Sequence, residues 1–175
     1  MKILYIGPYR QGDGWGNASK EFLKALFETG HDVAARPVYM SNNMSNEPVD
    51  RLVPMLESNN FDEYDVCIQQ VLPTMFEYNG KIKKNIGMFF SETQNLQFTP
   101  WVKHCNLMDE IWVSSYQEKK NLEDSHVTVP IKTVHIPVDV DKFKKKYTKL
   151  PLPITGKPFI FYFIGEHVNR KNLTA

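Results

Sequence analysis

Two short stretches of the chain combine residue types and spacings suited to chemistry. The first, Gly14-Trp15-Gly16-Asn17-Ala18-Ser19, lies between an apolar run, Lys2 to Gly7 (KILYIG), and an amphipathic segment. Small residues ahead of a helix leave backbone N–H groups approachable, which suits an anion or a substrate pressed against the chain. The same glycines equally suit a tight turn that lets helix and strand pack, and the loop alone leaves both readings open. Trp15 has little to pack on in such a loop and is placed to stack on a sugar ring. The second stretch, Ser91-Glu92-Thr93, follows the apolar run Asn85 to Phe90. Glu92 is the group there able to accept a hydrogen bond or proton from a substrate hydroxyl, or else to cap the turn after the strand. Ser91 and Thr93 flank it with hydroxyls that reach a ligand or bond the local backbone.

Several other chemistries fail on the same residues. A dinucleotide fingerprint, G-x-G-x-x-G, needs a third glycine at its sixth position and an acid at the end of the second strand. Here the sixth position is Ser19 and the second strand ends in Pro37-Val38-Tyr39. Lys20 lies one turn inside the helix with no GK[ST] before it, so a Walker loop is missing too. Cys67 and Cys105 sit in apolar surroundings without metal-ligand spacing and read as buried, reduced thiols of a cytoplasmic protein, with no metal site. A net charge of +1 gives no electrostatic case for nucleic acid. No stretch approaches the roughly 20 apolar residues of a membrane span. His104 and His135 read as ordinary surface or satisfied residues, and Trp101 as core, being at helical spacing with Cys105 and Met108.

The elements that must position these residues alternate between strand and helix. Lys2 to Gly7, Asp32 to Val38, Tyr64 to Val71, Asn85 to Phe90, Glu110 to Val113 and Lys132 to Ile136 read as strands. Asn17 is the expected cap of a first helix whose Ala18, Phe22, Ala25 and Leu26 form one stripe, ended by Gly30. Val49, Leu52, Val53 and Leu56 suggest a second helix that Pro54 makes start late or kink. Thr99-Pro100 opens a third, and Ser115 with Glu118 three residues on forms a capping box for a fourth. Strands with helices between them predict an α/β fold, a three-layer Rossmann-like domain with a mainly parallel sheet. At 175 residues and 42% hydrophobic content there is material for one good-sized core. Ligands on such sheets gather at the carboxyl ends of the strands. The loops at Pro8 to Gly16, Met40 to Asn46, Leu72 to Thr74, Ser91 to Gln97, Ser114-Ser115 and Val138 to Asp141 are therefore expected to share one rim.

Four stretches in order carry a family resemblance. KILYIGPYRQGDGWGNASKEFLKAL is similar to the opening strand, glycine loop and first helix of group-1 (family 4) glycosyltransferases of the GT-B fold. SETQNLQFTPWVKHCNLMDEIWVSSYQEKKNL, HIPVDVDKF and FYFIGEHVNRKNL resemble later stretches of the same family, the last being the first strand and turn of a second domain. The resemblance implies residues 1–140 as the acceptor-side N-terminal domain, 141–157 as an interdomain linker, and 158–175 as the start of a truncated donor-binding domain. It implies retaining transfer of a sugar from a nucleotide diphosphate donor, a co-substrate, to a carbohydrate or lipid-linked acceptor, with no bound cofactor. Such a fragment is expected to be inactive alone. By position Gly14 and Gly16, with Trp15 and Asn17, would lie under the donor. Glu166 stands where the family commonly has Arg, leaving Arg170 and Lys171 as the cations for the diphosphate. Where many relatives carry His at the end of the fourth strand, this chain reads Phe90-Ser91-Glu92, which makes Glu92 the expected catalytic residue. A reading from another class is a non-catalytic Rossmann-like module that binds a small ligand. The basic run Asp141 to Lys149 reads as a solvated linker, with peripheral contact to an anionic lipid surface as the alternative. Phe159 to Ile164 (FIFYFI) reads as a strand lacking a partner, and so as a site of self-association.

Overall fold

The first apolar run forms strand β1 (Lys2–Gly7) at the heart of a parallel pairing, with β2 (Asp32–Pro37) on one side and β3 (Val66–Gln70) on the other. β4 (Lys84–Met88), β5 (Glu110–Val113) and β6 (Ile131–Thr133) continue the sheet in the order β2-β1-β3-β4-β5-β6, every pair parallel. The coordinates are a computed structural model that describes residues 1–42, 50–148, 150–153, 155–156 and 158–165. The chain divides into two units, residues 1–140 and 141–175.

Four strands are shorter than their composition suggests, β2 by Val38 alone. β3 stops at Gln70, β4 at Met88 and β6 at Thr133, while single ladder bonds run on, from Val71 N to Met88 O and from Val134 N to Val113 O. Pro37 is accommodated because β2 is an edge strand, where a missing N–H breaks no ladder.

Helix α1 (Gly14–Glu28) begins four residues earlier than expected. Asp13, not Asn17, is its N-cap: the Asp13 carboxylate accepts the Gly16 N–H at 2.8 Å, and Asn17 lies exposed in the first helical turns. Aspartate at the loop end reaches the third helical N–H directly, so the glycines are drawn into the helix. The helix ends where Gly30, at φ +75°, takes the left-handed position that closes it. Helix α2 (Leu52–Ser58) does start late, holding Pro54 within its first turn, where no N–H is needed. Helix α4 (Tyr116–Asp124) follows as its capping box predicts; α3 (Trp101–Cys105) starts one residue later than expected, with Pro100 at the N-cap position and the Thr99 hydroxyl accepting the Trp101 N–H at 3.3 Å.

Helices flank the sheet as a Rossmann-like, three-layer α/β domain, with two buried clusters. One gathers Ile3, Tyr5, Val33, Ile68 and Met88 with Phe22 and Leu23 of α1 and Val53 and Leu56 of α2. The other gathers Phe89, Cys105, Met108, Ile111 and Val113 with Leu122 of α4. Strand alternation assigns them to opposite faces, since Trp112 packs on the first cluster while Ile111 and Val113 belong to the second. Trp101 borders the second cluster, with Cys105 and Met108 buried in it, as their spacing requires.

A buried carboxylate locks the far strands. Glu110 is 3% exposed and accepts from Lys84 Nζ at 2.6 Å and Trp112 Nε1 at 2.6 Å, with Lys132 Nζ at 3.3 Å. Burial pushes its carboxyl up, but these three donors outweigh burial and hold it below the ordinary glutamate value. The folded form therefore favours the ion, so its stabilisation is full above the ordinary glutamate range and drains away as pH falls through the depressed value. Glu110→Gln is expected to lose about 2 kcal/mol at pH 7. In urea titrations the gap between wild type and variant should narrow at pH 3; a gap independent of pH would contradict this role.

A short helix, α5 (Val140–Lys144), begins on the last residue of the first unit and opens a run whose described residues 141–148 are exposed. Residues 158–165 carry no strand, and Phe159, Phe161, Tyr162 and Ile164 are exposed. A strand's N–H and C=O groups need a neighbouring strand to close the ladder, and composition alone does not supply one.

Candidate functional site

Because Met88 and Trp112 are register partners, the chain leaving β4 and the chain leaving β5 emerge side by side. One carboxylate ties them together. Glu118 Oε1 accepts the Ser91 N–H at 2.7 Å, and Oε2 accepts the Ser114 N–H at 2.8 Å, the Ser114 hydroxyl at 2.6 Å and the Ser115 N–H at 3.0 Å. Ser115 Oγ in turn accepts the Glu118 N–H at 3.2 Å, completing the capping box. The box was legible from Ser115 and Glu118; the reach across to Ser91 was not, because it depends on which strands are neighbours.

Beside this clasp opens a cavity of about 500 Å³, walled by Glu92 and Gln94 from the β4 exit and by Gln117 and Asn121 from α4, with Phe90 and Ile136 at its apolar side. Glu92 is exposed and lines it, where an arriving hydroxyl would meet a carboxylate. Ser91 lines it too, but its hydroxyl accepts the Thr93 N–H at 3.2 Å and contacts Thr93 O at 3.3 Å, so the local-backbone role takes that group. Thr93 is exposed outside the lining.

His135, read from the sequence as an ordinary surface or satisfied residue, is exposed and has a partner. Its Nδ1 lies 2.9 Å from Ser114 O, and a carbonyl only accepts, so Nδ1 is the donor of that bond. The ring packs edge-on to Tyr116, centroids 5.8 Å apart. No spacing signal marks this residue, since its partner comes from the end of another strand.

The glycine stretch reaches the same region by another route. Trp15 packs on Phe90 with centroids 4.8 Å apart, so the premise that the indole lacks a packing partner is corrected: the partner comes from the β4 exit. Gly16 is buried under a close approach, for a Cβ there would overlap the Gln11 carbonyl oxygen and stand 2.7 Å from its carbon. Gly14 faces open space. Gln11, itself fully buried, takes the Met40 N–H at 3.1 Å and donates to Ser41, binding the exits of β1 and β2 together. Arg10 is committed to a bidentate pair with Glu57 at 2.7 and 2.6 Å, which with Tyr9 holds the Glu57 carboxyl below its ordinary value despite partial burial. Beneath the α1 start, Tyr5 donates its hydroxyl to Gln70 and meets Ser19 Oγ at 2.9 Å; burial pushes that phenol far up, keeping it neutral.

A second cavity, about 490 Å³, lies over Leu4, Ile6, Cys67 and Gln69 beneath the 77–82 segment. The Gln69 amide clamps the Glu77 backbone in both directions, at 2.6 and 2.9 Å. Burial raises the thiols of Cys67 to about 11 and Cys105 to about 12, so neither is a nucleophile at neutral pH.

Glu166, Arg170 and Lys171 lie outside the described residues, as do Val49 and residues 43–46 of the loop after β2. Among the described residues no cluster of His, Cys, Asp and Glu has the makings of a metal site, and no helix is long and apolar enough to cross a membrane. Set against family models, curated proteins and solved structures, the chain matches none of them.

Proposed function

We propose that this chain is the acceptor-side, Rossmann-like domain of a retaining glycosyltransferase, which moves a sugar from a nucleotide diphosphate donor to an acceptor hydroxyl. The observation that carries the reading is the cavity at the carboxyl ends of β4 and β5, with Glu92 on its wall and both strand exits fixed by Glu118. That rim is where open α/β sheets take their ligands. Four stretches resembling one family, in that family's order, supply the reaction class.

In this scheme Glu92 accepts a hydrogen bond from the acceptor hydroxyl and orients its lone pair toward the anomeric carbon. Charge developing on the departing diphosphate falls to cations, the role the resemblance gives Arg170 and Lys171. Glu92→Gln keeps the size of the side chain and removes the basic oxygen. In a transfer assay with the full-length protein it is expected to lower the rate about 10²-fold, with the urea midpoint unchanged. Transfer at the wild-type rate would remove Glu92 from the mechanism.

One observation favours the other class, a binding module without chemistry. Asp13 already occupies the Gly16 N–H, placing a carboxylate at the α1 terminus where a donor diphosphate would rest. That reading predicts saturable binding of a small ligand at the rim and no transfer from any nucleotide sugar.

A further inference from the structure

The start of the second unit concentrates a charge that the chain otherwise balances. Asp141 to Lys149 (DKFKKKYTK) holds five lysines against one acid, in a chain whose net charge is only +1, so the remainder is net negative. Lys149 lies outside the described residues, and all of 141–148 are exposed. Lys144 pairs with Asp141 at 2.8 Å in open solvent, where such a pair is worth little. Lys145 and Lys146 meet no acid among the described residues. Crowded like charges repel one another, and an opposing surface of anions relieves that repulsion.

Apolar side chains are interleaved with these lysines. Phe143 is 75% exposed, Tyr147 69% and Leu150 78%. The Tyr147 hydroxyl donates to the Lys142 carbonyl at 3.1 Å, which ties this residue back to α5 and keeps it in the basic run. Water gives such side chains nothing, whereas a bilayer interface suits both kinds. Lysines reach the headgroup phosphates while rings and leucines enter the acyl boundary. Stable attachment to a membrane surface takes two signals, and basic charge with exposed apolar groups supplies two. A nucleic acid would answer the lysines but has no apolar interior for Leu150. Among the described residues no helix is long and apolar enough to cross a membrane, so the contact expected is peripheral.

We propose that residues 141–150 form a peripheral contact with an anionic phospholipid bilayer, the lysines on headgroup phosphates and Phe143, Tyr147 and Leu150 seated at the acyl boundary. The inference goes beyond the transferase reading and does not need it. Binding is measured on the 175-residue chain with no sugar donor present.

The test is co-sedimentation with vesicles of phosphatidylcholine alone and of phosphatidylcholine with about 30% phosphatidylglycerol, at roughly 50 mM and roughly 500 mM salt. Binding to the anionic vesicles is expected to exceed binding to the neutral ones at least about twentyfold, and to fall about tenfold or more at the higher salt. Each lysine near the surface is worth about fivefold, so Lys145→Ala with Lys146→Ala should weaken binding about twenty-five-fold. Lys145→Arg with Lys146→Arg keeps the charge and should keep the binding. Phe143→Ser should cost about tenfold. All these positions are exposed, and an unchanged urea midpoint confirms that the fold is intact. Equal binding to neutral vesicles, indifference to the alanine pair or to Phe143→Ser, or tighter binding to a duplex DNA of about 20 base pairs than to the anionic vesicles would each overturn the proposal. A full-length protein that transfers sugar but binds no vesicle would sink this inference and leave the transferase reading standing. Anionic vesicle binding without any transfer would do the reverse.

Discussion

Glu118→Gln is expected to destabilise the fold by about 3 kcal/mol, one of the two largest single-residue effects in the domain. The carboxylate is 8% exposed and serves as acceptor to three backbone N–H groups and the Ser114 hydroxyl, from two strand exits. An amide in its place turns an NH₂ group toward donors on one side, leaving part-buried N–H groups without their acceptor, at a combined cost of roughly 3 kcal/mol. Urea denaturation followed by circular dichroism reads the loss. Hydrogen exchange should also accelerate at Ser91, whose amide relies on Oε1. A loss under 1 kcal/mol with Ser91 exchange unchanged would show that the clasp does not hold the two exits.

The second large effect comes from a single methyl group. Gly16→Ala places a Cβ on the Gln11 carbonyl, a backbone group that cannot swing aside as a side chain could. Overpacking against backbone costs roughly 3 kcal/mol, against which alanine recovers less than about 1 kcal/mol of helix propensity. Gly14→Ala is the matched control two residues away: nothing stands within 4 Å of its Cβ, so it should be neutral or stabilising by up to about 1 kcal/mol. Paired melting curves separate the two. Equal tolerance at both positions would mean that α1 does not press on the β1 exit as described. Neither substitution touches Glu92, so the pair also tests whether the glycines act through packing and not through a ligand.

Much of this architecture could be read from residue order because local signals agreed with the global fold. Buried parallel strands write continuous apolar runs, as KILYIG does. Capping chemistry is local in sequence, so Ser115 with Glu118 marked α4 to the residue. The start of α1 was misplaced because two residues able to cap, Asp13 and Asn17, stand four apart, and it is the Asp13 carboxylate that takes a helical N–H.

The site was legible in part, for a different reason. Glu92 and Ser91 could be placed beside the cavity because a polar triplet after an apolar strand sits on the rim by topology alone. Trp15 and Phe90 are 75 residues apart, and nothing in either neighbourhood announces their contact. The same holds for His135 with Ser114 and for Glu118 with Ser91, which join chain segments leaving different strands. Contacts made by sheet order, not by helical or strand period, are the ones that a linear reading misses.

The central claim, that this domain serves a retaining sugar transfer, is tested most directly by product stereochemistry. The full-length protein would be incubated with a panel of α-linked nucleotide diphosphate sugars and neutral glycoside acceptors, and the new linkage read from its anomeric proton coupling. One donor is predicted to yield an α-linked product. A β-linked product, or a folded protein that transfers no sugar from any donor in the panel, would contradict the account.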